Sequence, residues 1–337
     1  MAYVQIADIY DPLIFDGAVQ EAAIENNRFV QSGVMTPDST LGAMASGPGQ
    51  VGELPFFYGL TNDEPDYVDD DATHLATPAK ITSSKQVYMS AHQHKSWSTM
   101  DLARELALQD PLSAITSRIG KYWAVSTEKR LINSLAGILL DNVANDASDM
   151  TNDIFIEDGD NALAANLISA EAVIDAVATA GDHHEVFTTI AMHSVPYFTL
   201  VKADLIDFVA DSSGRLTIPT YLGKRVVVDD SLAPRAGTTS GYVYTTVLFA
   251  NGVVAYGSGS PEKASELERV PNAGYGGGQD IIHTRTTEIV HPYGFSFNTA
   301  GPAAQSATYA ELATVTNWNR VVGERKNVGI AFLRTNG

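Results

Sequence analysis

The sequence predicts an α+β fold organised on one long helix. Three observations carry that expectation. A helical pattern runs over residues 110–146 with no proline after Pro111. Two extended apolar runs, residues 54–58 and 81–89, flank an acidic stretch and read as one long hairpin. Between residues 150 and 290, helical patterns alternate with short β-branched runs, as in a compact α/β region.

Residues 1–50 hold too little clustered apolar surface for a domain of their own. A helix is predicted over 16–30, with Val19, Ala23, Ile24 and Phe29 as its apolar points. The stretch that follows, QSGVMTPDSTLGAMASGPGQVGE, is rich in Gly, Ser, Thr and Pro, a composition that does not order itself by burial. The scattered Ile14, Phe15, Val34, Met35 and Leu41 predict an arm lying on another surface. In the hairpin, Leu54-Pro55-Phe56-Phe57-Tyr58 leads out to the acidic tip, and residues 81–89 return. A two-stranded hairpin is marginal in water, so it is expected to lean on its own body or on another copy. Ser98-Thr99-Met100-Asp101 reads as the start of a short helix through Leu102, Leu106 and Leu108.

In the long helix, Asp110 suits the N-cap and Pro111 the first helical position, where a missing N–H is harmless. Its length would be roughly 50 Å at 1.5 Å per residue. The average helix has only about 11–12 residues. Leu112, Ile115, Ile119, Tyr122 and Trp123 mark an apolar stripe in the first half. Val125, Leu131, Ile132, Leu135, Ile138 and Leu139 mark one in the second. The stripe drifts, so the two halves are expected to meet different partners. Gly120 and Gly137 stand isolated. Lys129 and Arg130 follow Glu128 directly, outside the spacing of helix ion pairs, and are expected to be solvated.

In the α/β region Ser169 caps a helix bearing Ala170, Val173, Ile174 and Val177. A strand over 186–192 leads to a second helix, opened by His193-Ser194-Val195-Pro196 and carrying Phe198, Leu200, Val201, Leu205 and Ile206. Residues 225–230 form a short buried strand. Residues 242–250 and 253–256 read as a hairpin about Asn251-Gly252, a type I′ signal. Residues 271–280 are a glycine-rich loop. Residues 281–289 alternate as a half-buried strand, with Phe295 and Phe297 keeping the same parity. A helix is predicted over 308–316, with Glu311 placed for a capping box on Thr308. Residues 327–333 read as a last strand.

Composition narrows the function. The chain has 337 residues, 45% hydrophobic and 18% charged, with 21 basic against 40 acidic residues and a net charge of −19. That balance disfavours sequence-independent DNA binding, which relies on Lys and Arg releasing counterions. There is no cysteine, hence no disulfide, thiolate metal site or cysteine nucleophile. The segment MAYVQIADIYDPLIFDG has neither the basic start nor the apolar core of a signal peptide. No apolar run approaches the ~20 residues of a membrane span. A soluble, intracellularly made protein is the expectation.

Candidate sites are few. His92 and His94 share a strand face, but their neighbours Gln93 and Lys95 add no third ligand, so a surface pair on a hairpin arm is favoured over a metal site. His183-His184-Glu185 lacks the helical spacing of zinc hydrolases. Asp69-Asp70-Asp71 reads as a solvated charge run. Asp158-Gly159-Asp160-Asn161 lacks the sixth-position Gly and twelfth-position Glu of a calcium loop. Gly257-Ser258-Gly259 and Gly274-Tyr275-Gly276 have Glu262 and Gln279 where a dinucleotide fingerprint needs its third glycine. No phosphate-binding Gly-Lys-Ser/Thr motif and no Gly-x-Ser-x-Gly elbow is present.

The order of parts resembles the major capsid proteins of tailed bacteriophages, whose fold is shared with herpesvirus shells and encapsulins. The likeness covers most of the chain. It is carried by Gly52-Glu53-Leu54-Pro55-Phe56, by Asp101-Leu102-Ala103 through Asp110-Pro111, and by Tyr122-Trp123-Ala124 with Leu131 and Gly137. Further on it is carried by Val227-Val228-Asp229-Asp230, Asn317-Trp318 and Lys326-Asn327-Val328-Gly329-Ile330. Their order and spacing together are specific. The resemblance implies the tailed-phage capsid fold, with an N-terminal arm (1–50), an extended β-hairpin loop (51–95) and a peripheral domain with the long spine helix (96–150). It further implies an α/β axial domain (151–285), then return strands to the peripheral domain and a C-terminal segment (286–337).

The implied function is a major capsid protein that self-assembles into hexamers and pentamers of an icosahedral shell. That shell would enclose double-stranded DNA without sequence-specific binding, in a virion assembled in the host cytoplasm. Its partners would be further copies of itself, with scaffolding, portal and decoration proteins, and no membrane. No catalytic residue, cofactor or metal is expected. Lys80, Lys85 and Lys95 lie on the loop, but without a placed glutamate and asparagine no covalent cross-link is expected. An encapsulin-like compartment shell and an α/β enzyme with an appended arm are the alternatives.

Overall fold

The computed structural model describes residues 27–47, 49–59, 80–101, 111–203, 205–210 and 217–337, with positions 64, 65, 67, 68, 70, 73, 75 and 78 between the second and third stretches. The helix expected over 16–30 up to residue 26, the helix at 102–108, and Asp69 and Asp71 lie outside the described residues.

The chain enters at Asn27, whose side chain accepts from the N–H groups of Phe29 and Val30 and caps α1 (Arg28–Gln31). Next come β1 (Met35–Pro37) and α2 (Ser39–Ser46), the latter capped by Asp38 accepting from Thr40. β2 (Val51–Phe57) pairs antiparallel with β3 (Ser83–Met89), from Val51↔Met89 out to Phe57↔Ser83. β4 (Ala91–Met100) follows at once. Ser98 to Met100 therefore end a strand instead of opening a helix, because Met100↔Gln279 and Thr99↔Asp280 continue a ten-residue pairing. The spine is α3 (Pro111–Asn145), 35 residues long.

Beyond it lie β5 (Thr151–Asp153), α4 (Ala170–Ala178) capped by Ser169, β6 (Phe187–Met192) and α5 (Ser194–Lys202). β7 (Asp207–Ala210), β8 (Thr217–Tyr221), β9 (Lys224–Val228), β10 (Arg235–Ala236) and β11 (Tyr242–Ala250) complete that region. The chain then runs through β12 (Val254–Gly259), β13 (Ser265–Val270), β14 (Gln279–Pro292) and β15 (Phe295–Phe297). It ends with α6 (Tyr309–Leu312), β16 (Trp318–Arg320) and β17 (Ile330–Thr335). The capping box at Thr308 and Glu311 is present, but the expected helix over 308–316 stops after one turn. The chain turns there because Trp318 must reach the spine.

An eight-stranded sheet runs in the order β5-β17-β11-β6-β9-β8-β7, with β10 on β11. Its two faces follow from strand alternation. Ala191, Val227, Val247, Phe249, Ile330 and Phe332 point to the spine residues Leu131, Leu135, Ile138 and Leu139. Ile190, Val226, Leu248, Ala331 and Leu333 point the other way, onto Ala172, Val173 and Ala176 of α4 and Leu200 of α5. The second half of the spine is thus one lid of a three-layer core. β17 lies inside this sheet, between β5 and β11.

A five-stranded sheet covers the rest. β14 pairs with β12 and β13 end to end along one edge and with β4 along the other. β1 adds to β12 in parallel. The hairpin expected about Asn251-Gly252 does not form. Both edges of β11 are already taken, by β6 and β17, so the chain crosses at Gly252 (φ 65) into the other sheet. The arm seals this crossing, with Gly252 N–H donating to Gly33 O at 2.8 Å and Val254 N–H to Val34 O at 3.2 Å. Residues 28–46 are therefore docked on their own body, burying Phe29, Val34, Met35, Leu41 and Ala45. Gly257 and Gly259, rejected above as a nucleotide motif, let α2 approach. A Cβ on either would lie within 2.5–2.7 Å of the Leu41 or Ala45 backbone carbon.

Gly137 sets the spine's closest contact. A Cβ there would sit 2.2 Å from Leu312 O and 2.5 Å from Trp318 Cδ1. The Trp318 indole N–H donates to the same Leu312 carbonyl at 2.7 Å. Gly137→Ala is expected to destabilise the subunit by about 2–3 kcal/mol through overpacking, although alanine is the better helix former. Denaturant unfolding of the unassembled protein measures this, and an unchanged midpoint would show that the notch is not tight.

Candidate assembly surfaces

The spine is tied to the rest of the subunit by two buried charged groups, Glu128 and Arg130, the second of which the sequence pattern left solvated. Arg130 is buried, with Nε 3.7 Å from Glu288 Oε1 and Nη1 donating to Ala307 O at 3.0 Å. Glu288, on β14, also accepts from Thr127 Oγ1 at 2.6 Å and from Gln93 Nε2 at 2.8 Å. Burial pushes its carboxyl up, against the pull of Arg130. Glu128 is buried too, accepting from the Arg28 N–H at 2.7 Å, so a spine carboxylate holds the incoming arm. Only Lys129 of the three is exposed. The partners of Arg130 and Glu128 come from distant parts of the chain, which helix spacing cannot report. Arg130→Ala would leave Glu288 buried without its cation, at an expected loss of about 3–5 kcal/mol. Pairing it with Glu288→Gln should restore part of that stability in thermal unfolding, and no recovery would argue against the ion pair.

The base of the hairpin is fastened to the same body. Gly294 N–H donates to Gln86 Oε1 at 3.0 Å, and Val87 N–H to Ser296 Oγ at 3.1 Å. The Tyr88 ring covers Gly52 on the paired strand, where a Cβ would meet the phenol oxygen at 2.0 Å. Behind Tyr88 lies His291, centroids 6.3 Å apart, and behind His291 the Trp318 ring, also at 6.3 Å and nearly parallel. His291 Nε2 is buried with no hydrogen-bond partner. Burial pulls its pKa from 6.5 down to about 4.

Between those two values the unfolded chain binds a proton at His291 that the native state refuses. Stability from this group is therefore complete above pH 6.5 and is lost as pH falls toward 4. The loss amounts to about 3 kcal/mol. His291→Phe should flatten the fall of the thermal midpoint across that window; an equally steep fall would exclude His291 as its source.

The hairpin exposes apolar groups from its base, at Val51, to the outer end of its strands, at Phe57 and Ile81. Phe57 is 75% exposed, Ile81 62% and Val51 48%. Lys85 pairs with Glu53 across the two strands.

The other sequence candidates separate. His92 and His94 lie on β4 within the five-stranded sheet, not on the hairpin. His92 Nδ1 turns to Thr287 Oγ1 at 3.2 Å, while His94 Nε2 meets His283 Nδ1 at 3.1 Å. His183 Nδ1 lies 3.1 Å from Lys326 O in an exposed turn. Asp158 accepts from Asn161 within its own turn and from Ser240, far along the chain, which it also meets in an isolated β-bridge. Among the described residues no group of three or more His, Asp or Glu side chains is arranged to hold a metal ion. None of the described helices is long and apolar enough to cross a membrane.

A spine helix backing one sheet, a second sheet with an outreaching hairpin, and apolar groups left open at the extremities define a shell-forming subunit of the tailed-phage capsid fold. The solved capsid of Ralstonia phage GP4 matches with a TM-score of 0.60 over 92% of this chain and 91% of that one, at 9% identity. The Cyanophage Pam1 capsid matches with 0.55 over 100% and 94%, at 12% identity.

The family model described as Gp13-like, major capsid protein 13-like, matches residues 48–329. The major capsid protein of Bacillus phage SPP1 is 35% identical over 328 residues, covering 97% of this chain and 96% of that protein. The chain belongs to the Gp13-like major capsid protein family. It is a structural protein of the tailed-phage virion and forms the capsid shell. The compartment-shell and enzyme alternatives are not favoured.

Proposed function

We propose that this subunit assembles as hexamers and pentamers of an icosahedral shell around double-stranded DNA, with the β2–β3 hairpin laid across an adjacent copy. The observation that carries this reading is the set of apolar side chains that the anchored hairpin leaves exposed. The hairpin is hydrogen-bonded to its own body through Gln86, Val87 and, at the outer end of the paired strands, the Tyr58 hydroxyl donating to Val321 O at 3.0 Å, while the Phe57 and Ile81 side chains stay exposed. Apolar groups held out on an anchored hairpin gain their burial from a neighbour, and stability then depends on assembly. Interfaces of this obligate kind commonly exceed ~2,000 Å². In this reading the β2–β3 hairpin, within residues 51–89, is the extended loop, the spine with the five-stranded sheet that holds β4 the peripheral domain, and the eight-stranded sheet with its helices the axial domain at the capsomer centre. Residues 286–337 serve both, since Trp318 of β16, with Phe297 of β15 beside it, seats on the spine at Gly137 and β17 lies in the larger sheet. The net charge of −19 keeps packaged DNA from adhering to the wall.

Deleting residues 60–78 tests the hairpin's role. The shortened subunit should keep its circular dichroism and thermal midpoint, since the anchoring contacts remain. Its particle yield in electron micrographs should fall at least roughly tenfold, the effect of losing only ~1.4 kcal/mol of contact. Wild-type yield from the deletion would reject the assigned role.

A further inference from the structure

The loop joining β13 to β14 carries a side chain that the subunit's own fold does not use. Its sequence is Asn272-Ala273-Gly274-Tyr275-Gly276-Gly277-Gly278. Four of these residues have positive φ: Gly274 at 65, Tyr275 at 56, Gly276 at 94 and Gly278 at 86. Three are glycine, as that backbone region favours. The fourth is a tyrosine at φ 56 and ψ 39, where an L side chain is strained against its own carbonyl. Glycine in its place would relieve the strain. Nothing inside the subunit offsets it, because the ring is fully open to solvent, at 110% relative exposure.

The loop cannot easily relax around the ring. Gly278 N–H donates to Ala273 O at 3.0 Å, and Asp101 N–H to Gly278 O at 3.2 Å. Arg269 braces it from below, donating to Asp101 Oδ1 at 2.9 Å and to Asp280 Oδ1 at 2.8 Å. A Cβ on Gly274 would meet Met100 Cε at 2.6 Å, and one on Gly278 the Arg269 guanidinium at 2.5 Å. The turn is seated on this floor with the tyrosine held upward. β4, β13 and β14 all end here, at Met100, Val270 and Gln279, so the loop is the tip of the five-stranded sheet. Along β14, the tip is roughly 45 Å from the end held by β12 and the arm.

We propose that Tyr275 anchors a contact between copies of this chain, its ring entering a recess on a neighbouring subunit. This rests on the shell reading above. A second copy is the partner because a shell surrounds each subunit with others, and the tip is where the sheet reaches furthest from its own core. A rigidly presented tyrosine brings much contact area with few rotors to freeze, which is why such residues dominate interface energetics. Strain kept in the free subunit by a fully exposed ring with no internal contact fits a group that acts in assembly.

Full-length Tyr275→Gly and Tyr275→Phe test this beside the wild type. In the unassembled state, Tyr275→Gly should melt at or above the wild-type temperature. Its yield of closed particles should nonetheless fall at least roughly tenfold, as expected for loss of an interface anchor. Tyr275→Phe should recover most of the yield. Wild-type particle yield from Tyr275→Gly would overturn the proposal, as would a lowered melting temperature, which would make the ring a structural element. Normal shells that have lost a second bound protein would assign the tip to that protein and overturn it too. Wild-type particles in the same preparation keep the two readings apart: their formation supports the shell, and the glycine variant reports on the anchor alone.

Discussion

The contact on which most of this structure depends is the seating of Trp318 against Gly137. The missing side chain lets the one-turn helix α6 and the indole come down onto the helix axis, and the Leu312 carbonyl receives the indole N–H. From there a line of rings runs outward. Trp318 meets Phe297 edge-on at 5.1 Å and His291 nearly face to face, and His291 backs Tyr88 at the base of the hairpin. The spine, the β15–β16 pair, the long strand β14 and the hairpin therefore share one packed axis. Moving any of them disturbs the rest, because interiors packed this closely transmit displacement.

Polar groups decide how the parts are held once packing has brought them together. Arg130 with Glu288 ties the spine to β14, and Glu128 ties it to the arm. At the spine's C-terminal end Arg320 reaches Asp146 and Asp149, with Nη1 donating to both oxygens of Asp149 at 2.8 and 2.9 Å. Such ties add register more than net stability, since each buried charge must first be stripped of water. They explain how a long helix with a drifting apolar stripe keeps one rotational setting between two sheets.

The subunit is self-sufficient at its centre and unfinished at its edges. Both faces of the central strands β17, β11, β6 and β9 are covered, the arm from Arg28 to Ser46 is docked, and the hairpin base is bonded to its own body. The outer hairpin and the tip at Tyr275 remain open. A folded core with unsatisfied extremities is what a shell subunit needs. It can fold as one chain, and it still gains burial when copies meet.

Local sequence determined the spine, the two hairpin strands, the alternation of β14, the cap at Ser169 and the capping box at Thr308. It also carried the resemblance to phage capsid proteins. Each of these is written in neighbouring residues, through helical or strand period, a capping side chain or a turn. Tertiary structure alone decided that β11 and β12 part at Gly252, that the arm lies on its own sheet, that β4 continues through Ser98, that Arg130 is buried and that β17 enters the larger sheet. Periodicity states which face of an element is apolar, but not which surface covers it. A strand's edge goes to whichever distant partner reaches it, and a charge is buried only if its counter-charge arrives from elsewhere in the chain. Those are properties of the assembled packing, and no window of sequence contains them.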